Sequence, residues 1–196
     1  NVLGSPNPVV VNKTIKELNQ HSQIMDIINL SITPYNKINI HIGGAYGDKT
    51  SAMKRFCTNF HRLPDSVKTR LTVENDDKAT MYSVQDLYDG VYTKIGIPIV
   101  FDYHHHRFCD GGLSEKEALE LAMSTWGNII PVVHYSESRS IEQEDPKIRP
   151  QAHSDYIYDY IDTYGNRVDI MVEAKAKELA VLKYKEIHDD TRTNSN

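Results

Sequence analysis

The stretch Ile97–His106 reads IPIVFDYHHH: an apolar segment of strand length, then an acid and three histidines. Its β-branched and aromatic residues favour a buried strand. The same grammar recurs on either side. Ile38–His41 ends on His41, Leu71–Glu74 on Glu74, Ile129–His134 on His134, and Val168–Glu173 on Glu173. Active sites of barrel proteins are assembled from polar groups at the carboxyl ends of parallel strands, so a repeat of this kind carries more information than any single motif.

Helical patterns separate the strands. Asn12–Leu30 is expected to be a helix capped by Asn12, with Ile15, Leu18, Ile24, Met25 and Ile28 near helical spacing. Ser51–Leu63 and Val84–Ile95 read as helices, the second stopping at Gly96. Ser114–Ser124 opens with Ser114 and carries Glu117 at the capping-box position. Ser138–Pro150 reads as a loop, Asp155–Tyr164 as a short helix, Lys175–Glu186 as the last helix, and His188–Asn196 as a disordered tail. Strands alternating with helices over short links imply a parallel sheet. The strand-end residues stand about 30 to 40 positions apart, close to the roughly 31 residues that each unit of a (β/α)₈ barrel occupies. The fold class expected is therefore α/β, an incomplete TIM barrel with about five carboxyl-terminal βα units over residues 1–187 and the amino-terminal units missing. The absence of an initiator Met fits a start inside a longer protein.

A chain of 196 residues, 39% hydrophobic and 25% charged, is long enough for one domain with a substantial core. It holds no apolar run near the roughly 18 residues of a membrane span. Nor does it open on a basic-then-apolar export signal. With two cysteines, Cys57 and Cys109, not spaced as a metal pair, an intracellular location is expected. A net charge of −5 argues against nonspecific coating of nucleic acid. It does not exclude a DNA substrate, because bound cations can reverse the local field.

Each strand-end group has an ordinary structural reading when taken alone. His41, before Gly43-Gly44, could bond a loop; Glu173 could favour a helix amino terminus; His134 and His153 could be structural. Glu74 follows Leu-Thr-Val, so it must enter the barrel mouth or be buried with partners. Oxygen and imidazole donors together suit Mn²⁺, Zn²⁺ or Fe²⁺. Strict strand alternation would pair Asp102 with His104 and His106, whereas a chain curling off the strand would present His105; periodicity does not choose. Ser136 lies on the same side as His134. Lys49 and Arg55 follow the first strand, where a cation can touch phosphate or simply be solvated. His21, His61 and His188 have no assigned role.

In this order and spacing, HIGGAYGDK with Arg55-Phe56, RLTVENDD, IPIVFDYHHH, VVHYSES and VDIMVEAKAKE, together with LGSPN near the start, resemble the ultraviolet damage endonuclease family. The resemblance covers Leu3 to about Glu186. It implies a TIM barrel that nicks double-stranded DNA 5′ to ultraviolet photoproducts with two or three divalent ions, commonly Mn²⁺. It also implies His41, Glu74, Asp102, His105, His134, His153 and Glu173 as metal ligands, with Glu74, Asp102 and Glu173 as the catalytic carboxylates, and selects His105 over His104. Lys49 and Ser136 are expected at the DNA. No protein partner and no membrane are implied. Members of the family carry a lysine where this chain has Val132, and the family's first three strands have no counterpart here.

Two related chemistries fit the same pattern, an abasic-site endonuclease and a sugar isomerase or epimerase. A third reading is an inactive metal-binding fragment. Five units would leave two open strand edges, so the isolated chain is expected to associate and to be inactive.

Overall fold

The computed structural model describes residues 2–189. Five parallel strands appear in chain order: β1 (Ile38–Ile40), β2 (Leu71–Glu74), β3 (Ile99–Val100), β4 (Val132–Tyr135) and β5 (Asp169–Val172). β1, β2 and β3 pair as one sheet, and β4 pairs with β5. The two sheets meet where the His134 N–H donates to the Phe101 carbonyl at 2.8 Å and Asp102 bridges His134 in parallel. The spatial order thus follows the sequence order, as in part of a TIM-barrel-like α/β fold. At the amino-terminal ends the Tyr35 hydroxyl, just ahead of β1, donates to Asp169 Oδ2 of β5 at 2.7 Å. The first and last strands are drawn towards each other.

Register sorts the side chains. Asn39 pairs with Thr72, Glu74 with Val100, and His134 with Met171. Paired residues in a parallel ladder share a face, so these polar groups line the inner side while their neighbours point out. The outward set, Ile38, Ile40, Leu71, Val73, Ile99, Phe101, Val133 and Tyr135, is buried against the helices. The main core is therefore between sheet and helices. The inner face of β5 stays open, with Met171 47% exposed.

The helices refine the expectations. α1 (Pro8–Ile27) begins earlier than expected, because Asn7 is the cap and accepts the Val9 N–H, with Pro8 in the first turn. Asn12 is inside α1, where its side chain accepts from Arg62 at 2.6 Å. The chain leaves α1 before Leu30, through left-handed Asn29, and Ile24, on the outer face of α1, and Ile28, just past its end, are exposed rather than core. α2 (Lys49–Phe60) is capped by Asp48. α3 (Asp65–Arg70), unexpected from periodicity, carries a buried Arg70 that pairs with Asp26 at 2.7 Å. The expected single helix Val84–Ile95 is α4 (Val84–Leu87), a π turn (Tyr88–Tyr92) and α5 (Thr93–Ile95), closed by left-handed Gly96. A Cβ on Gly90 would stand 2.4 Å from Met53 Sδ, so the π turn lets glycine backbone press on α2.

α6 (Tyr103–His106) follows β3, and α7 (Glu115–Met123) has the expected capping box. α8 (Arg139–Glu142) interrupts the segment expected to be loop. Asp155–Tyr164 is not helical. Its backbone N–H groups are claimed by acids: Asp155 and Tyr156 donate to Glu142, Tyr158 and Asp159 to Glu137. α9 (Glu178–Asp189) starts late, because the N–H groups of Lys175 and Ala176 donate to Ser154 and Asp155. It also runs on through His188, which the sequence assigned to the tail; residues 190–196 lie outside the described set. Among the described residues no helix is long and apolar enough to cross a membrane.

Candidate metal centre

Glu74, the last residue of β2, occupies the middle of the strand ends. Its Oε1 lies 3.2 Å from His105 Nδ1 and 3.9 Å from His41 Nε2. Its Oε2 lies 3.3 Å from His134 Nδ1. The same His134 nitrogen is 3.2 Å from Glu173 Oε1, and Glu173 Oε2 is 3.7 Å from His153 Nδ1. All seven expected ligands therefore fall in one continuous group. Two triads, His41 with Glu74 and His105, and Glu74 with Asp102 and His134, place one donor atom each within 4.8 Å of the others. Glu74 belongs to both.

Local structure explains the placement. Asp102 lies two residues beyond β3 and caps α6: its Oδ1 accepts the His105 N–H at 2.8 Å. That cap curls the chain off the strand, bringing His105 to the cluster. His104 instead packs on Phe108 and His153, and His106 on Phe101. The Asn75 side chain binds both the N–H and the carbonyl of Asp102, at 2.8 and 3.0 Å, fixing the end of β3 to that of β2. His153 sits on an antiparallel bridge to Ser138 that folds its loop over the rim. Glu74 is steadied from below: the Asn39 amide donates to its Oε2, and the Asn39 carbonyl accepts from Thr72 at 2.8 Å.

The electrostatics of the cluster are set by burial and by its own ion pairs. Burial would raise the Glu74 carboxyl, but close contacts from His105 and His134 hold it well below the usual carboxylate range. Burial resists charge on His105 and His134, yet their acidic neighbours raise both to about 9. Burial dominates at Asp102, pushed up to about 6 despite His105. Contact with His134 lowers Glu173, and burial lowers His153. Without cations, protons on His105 and His134 offset part of the negative charge of the cluster. Asp102 Oδ2 and both His134 ring nitrogens are sealed from solvent without an aligned hydrogen bond. Such atoms are costly to bury unless something compensates them, and a divalent ion would do so. Carboxylate and imidazole donors of this mixture fit Mn²⁺, Zn²⁺ or Fe²⁺.

The remaining expected residues divide. Ser136 is fully buried beyond His134, its hydroxyl without a hydrogen bond among the described residues. Lys49 is not brought into the cluster: its ammonium is bound to Asp86 at 2.6 Å. Asn39 and Asp76 touch the cluster but were not singled out from sequence. Asn39 could have been found as the polar position of the Ile38–Ile42 alternation.

Carboxylates and imidazoles converging at the carboxyl ends of parallel strands define a barrel-like α/β protein with a candidate metal centre. The chain belongs to the UV-endonuclease UvdE family, whose model matches residues 1–193. A UV DNA damage endonuclease of Bacillus cereus (strain Q1) is 37% identical over 192 residues, covering 92% of this chain and 56% of the relative. One from Bacillus pumilus (strain SAFR-032) is 37% identical over 190 residues, covering 91% and 56%. The crystal structure of SacUVDE aligns with a TM-score of 0.82 at 32% identity, over 97% of this chain and 63% of that one. The chain spans about half the length of the curated relatives it matches.

Proposed function

We propose that this chain carries the metal centre of a DNA endonuclease that nicks ultraviolet-damaged duplex 5′ to the lesion, within an intracellular protein whose further βα units complete the barrel. The observation that carries this reading is the position of Glu74, which faces His41 and His105 with one oxygen and His134 with the other. A carboxylate so shared suits two neighbouring cations, as phosphodiester hydrolysis by paired metals requires.

Bound divalent ions, two or three and by preference Mn²⁺, would polarise the phosphate and make a bound water acidic. The chain's own residues set the frame. Asp102 offers Oδ2 while Oδ1 caps α6. Glu173 spans His134 and His153 and fixes the far end of the cluster. His41, His105, His134 and His153 define the directions of approach. Ser136, sealed beyond His134, and Lys49, neutralised by Asp86, are given no direct contact with the phosphate in this reading. Selectivity comes from the duplex: a photoproduct weakens stacking, so distorting the damaged site costs less.

The test is nicking of irradiated supercoiled plasmid by a protein of the relatives' full length containing this chain, with Mn²⁺ present. Wild type nicks damaged plasmid, and Glu74→Gln does not. Normal nicking by that variant contradicts the assignment. Isomerisation of aldose sugars without nicking would replace it. The 196-residue chain alone is proposed to bind metal without nicking.

A further inference from the structure

Asp76 is a buried acid to which the reading above gives no task. It lies two residues beyond β2 and is 8% exposed. Its Oδ1 is 3.3 Å from His41 Nδ1, while the other ring nitrogen, His41 Nε2, is 3.9 Å from Glu74 Oε1. The imidazole thus has one nitrogen on an acid outside the cluster and the other turned to the cluster's central carboxylate. His41 Nδ1 is sealed from solvent and has no aligned hydrogen bond among the described residues, which leaves Asp76 as its anion.

The loop that carries Asp76 is locked. The Asp76 N–H donates to the Tyr82 carbonyl at 2.9 Å, and the Tyr82 N–H donates to Asp76 Oδ2 at 3.4 Å. The Tyr82 hydroxyl donates to the Gly44 carbonyl at 3.3 Å, on the turn that follows His41. One fully buried tyrosine therefore holds both the acid and the backbone next to the histidine. One Asp76 oxygen is thus directed to His41 and the other to Tyr82.

We propose that Asp76 is the positioning residue for His41: it keeps the ring proton on Nδ1 and leaves the Nε2 lone pair for a divalent cation shared with Glu74. The inference rests on the metal-centre reading. A ligating histidine commonly donates its other N–H to a carboxylate, and loss of that partner typically weakens metal binding about ten- to a hundredfold.

Nitrogen-15 NMR of the wild-type protein at the relatives' full length, metal-free at pH 8, reads the His41 tautomer directly. The Nδ1–H form is expected, and a dominant Nε2–H form overturns the proposal. Mn²⁺ titrations then compare variants. Asp76→Ala should lose the tautomer preference and about ten- to a hundredfold in affinity for the His41 cation. Asp76→Asn, which keeps an oxygen acceptor, should retain both the tautomer and most of the affinity. Unchanged affinity in folded Asp76→Ala overturns the proposal. So does a loss in Asp76→Asn as large as that of His41→Ala, because Asp76 would then be a ligand. Should Asp76→Ala fail to fold, the wild-type tautomer and Asp76→Asn decide. Mn²⁺ binding alongside an Nε2–H His41 removes the positioning role alone. Absence of any Mn²⁺ binding by the wild-type chain removes the metal reading and the proposal with it.

Discussion

Asp102 Oδ1 accepts the backbone N–H of His105 at 2.8 Å, and this one bond turns the end of a strand into the start of a helix. The same carboxylate leaves Oδ2 buried at the cluster, 3.9 Å from His105 Nδ1 and without a hydrogen bond among the described residues. Capping and metal ligation should therefore be separable. Asp102→Asn keeps a cap oxygen, so its melting temperature should stay near wild type while Mn²⁺ stoichiometry falls. Asp102→Ala should in addition cost about 0.5–2 kcal/mol from the lost cap. Equal metal binding by wild type and Asp102→Asn would exclude Asp102 as a ligand.

Protons and metals should compete for the same groups. His105 and His134 are raised to about 9 in the metal-free chain, chiefly by Glu74, Asp102 and Glu173 against the cost of burial. A raised imidazole stabilises fully below its unfolded value near 6.5. That contribution fades as pH climbs through 9. The metal-free chain should accordingly lose melting temperature between pH 7 and pH 9.5, and Mn²⁺ should reduce the loss by replacing the departing protons. A metal-free melting temperature that rises over this window contradicts the raised imidazoles of His105 and His134.

The linkage has a second readout. Calorimetric titration with Mn²⁺ at pH 7.5, in buffers of different ionisation enthalpy, should report net proton release on binding, about one per imidazolium displaced. Identical heats across buffers would contradict protonated imidazoles in the metal-free cluster.

Asn39 should matter through Glu74. Its amide donates to Glu74 Oε2 while its carbonyl accepts from Thr72. Asn39→Ala should weaken Mn²⁺ binding about tenfold or more, as expected for the loss of a group that orients a ligand. Isothermal titration checks this, and unchanged affinity would show that Glu74 is held without it.

Arg70 supplies a control away from the metal. Its buried guanidinium donates to Ser22, Leu30 and Asp26. Arg70→Met should destabilise by about 1–3 kcal/mol, because the buried acceptors lose their donor. Denaturant unfolding measures that loss, and Mn²⁺ affinity should not move. A parallel loss of metal binding would tie α3 to the centre in a way the contacts do not.

The strand ends were legible because a strand must bury its apolar alternation, and a polar residue that terminates it is conspicuous. His41, Glu74, Asp102, His134 and Glu173 all follow from that contrast, and the structure brings them together. His105 was not readable from periodicity, since its place depends on a cap made by Asp102. Asp76 was hidden for a similar reason: only the Tyr82 contacts turn it towards His41. Lys49 looked free because its acid, Asp86, lies on another helix. Asp155–Tyr164 misled because its tyrosines and isoleucines have helical spacing while Glu137 and Glu142, distant in sequence, take the backbone donors. Asn12 was mistaken for a cap because Asn7-Pro8, the stronger signal, lay inside what looked like a leading loop.

The central claim is that Glu74 serves two cations at once. Anomalous diffraction from crystals soaked in Mn²⁺ tests it most directly. The account predicts two peaks flanking the Glu74 carboxylate, one towards His41 and His105 and one towards Asp102 and His134. A single peak that does not touch Glu74, or none at this rim, would contradict it.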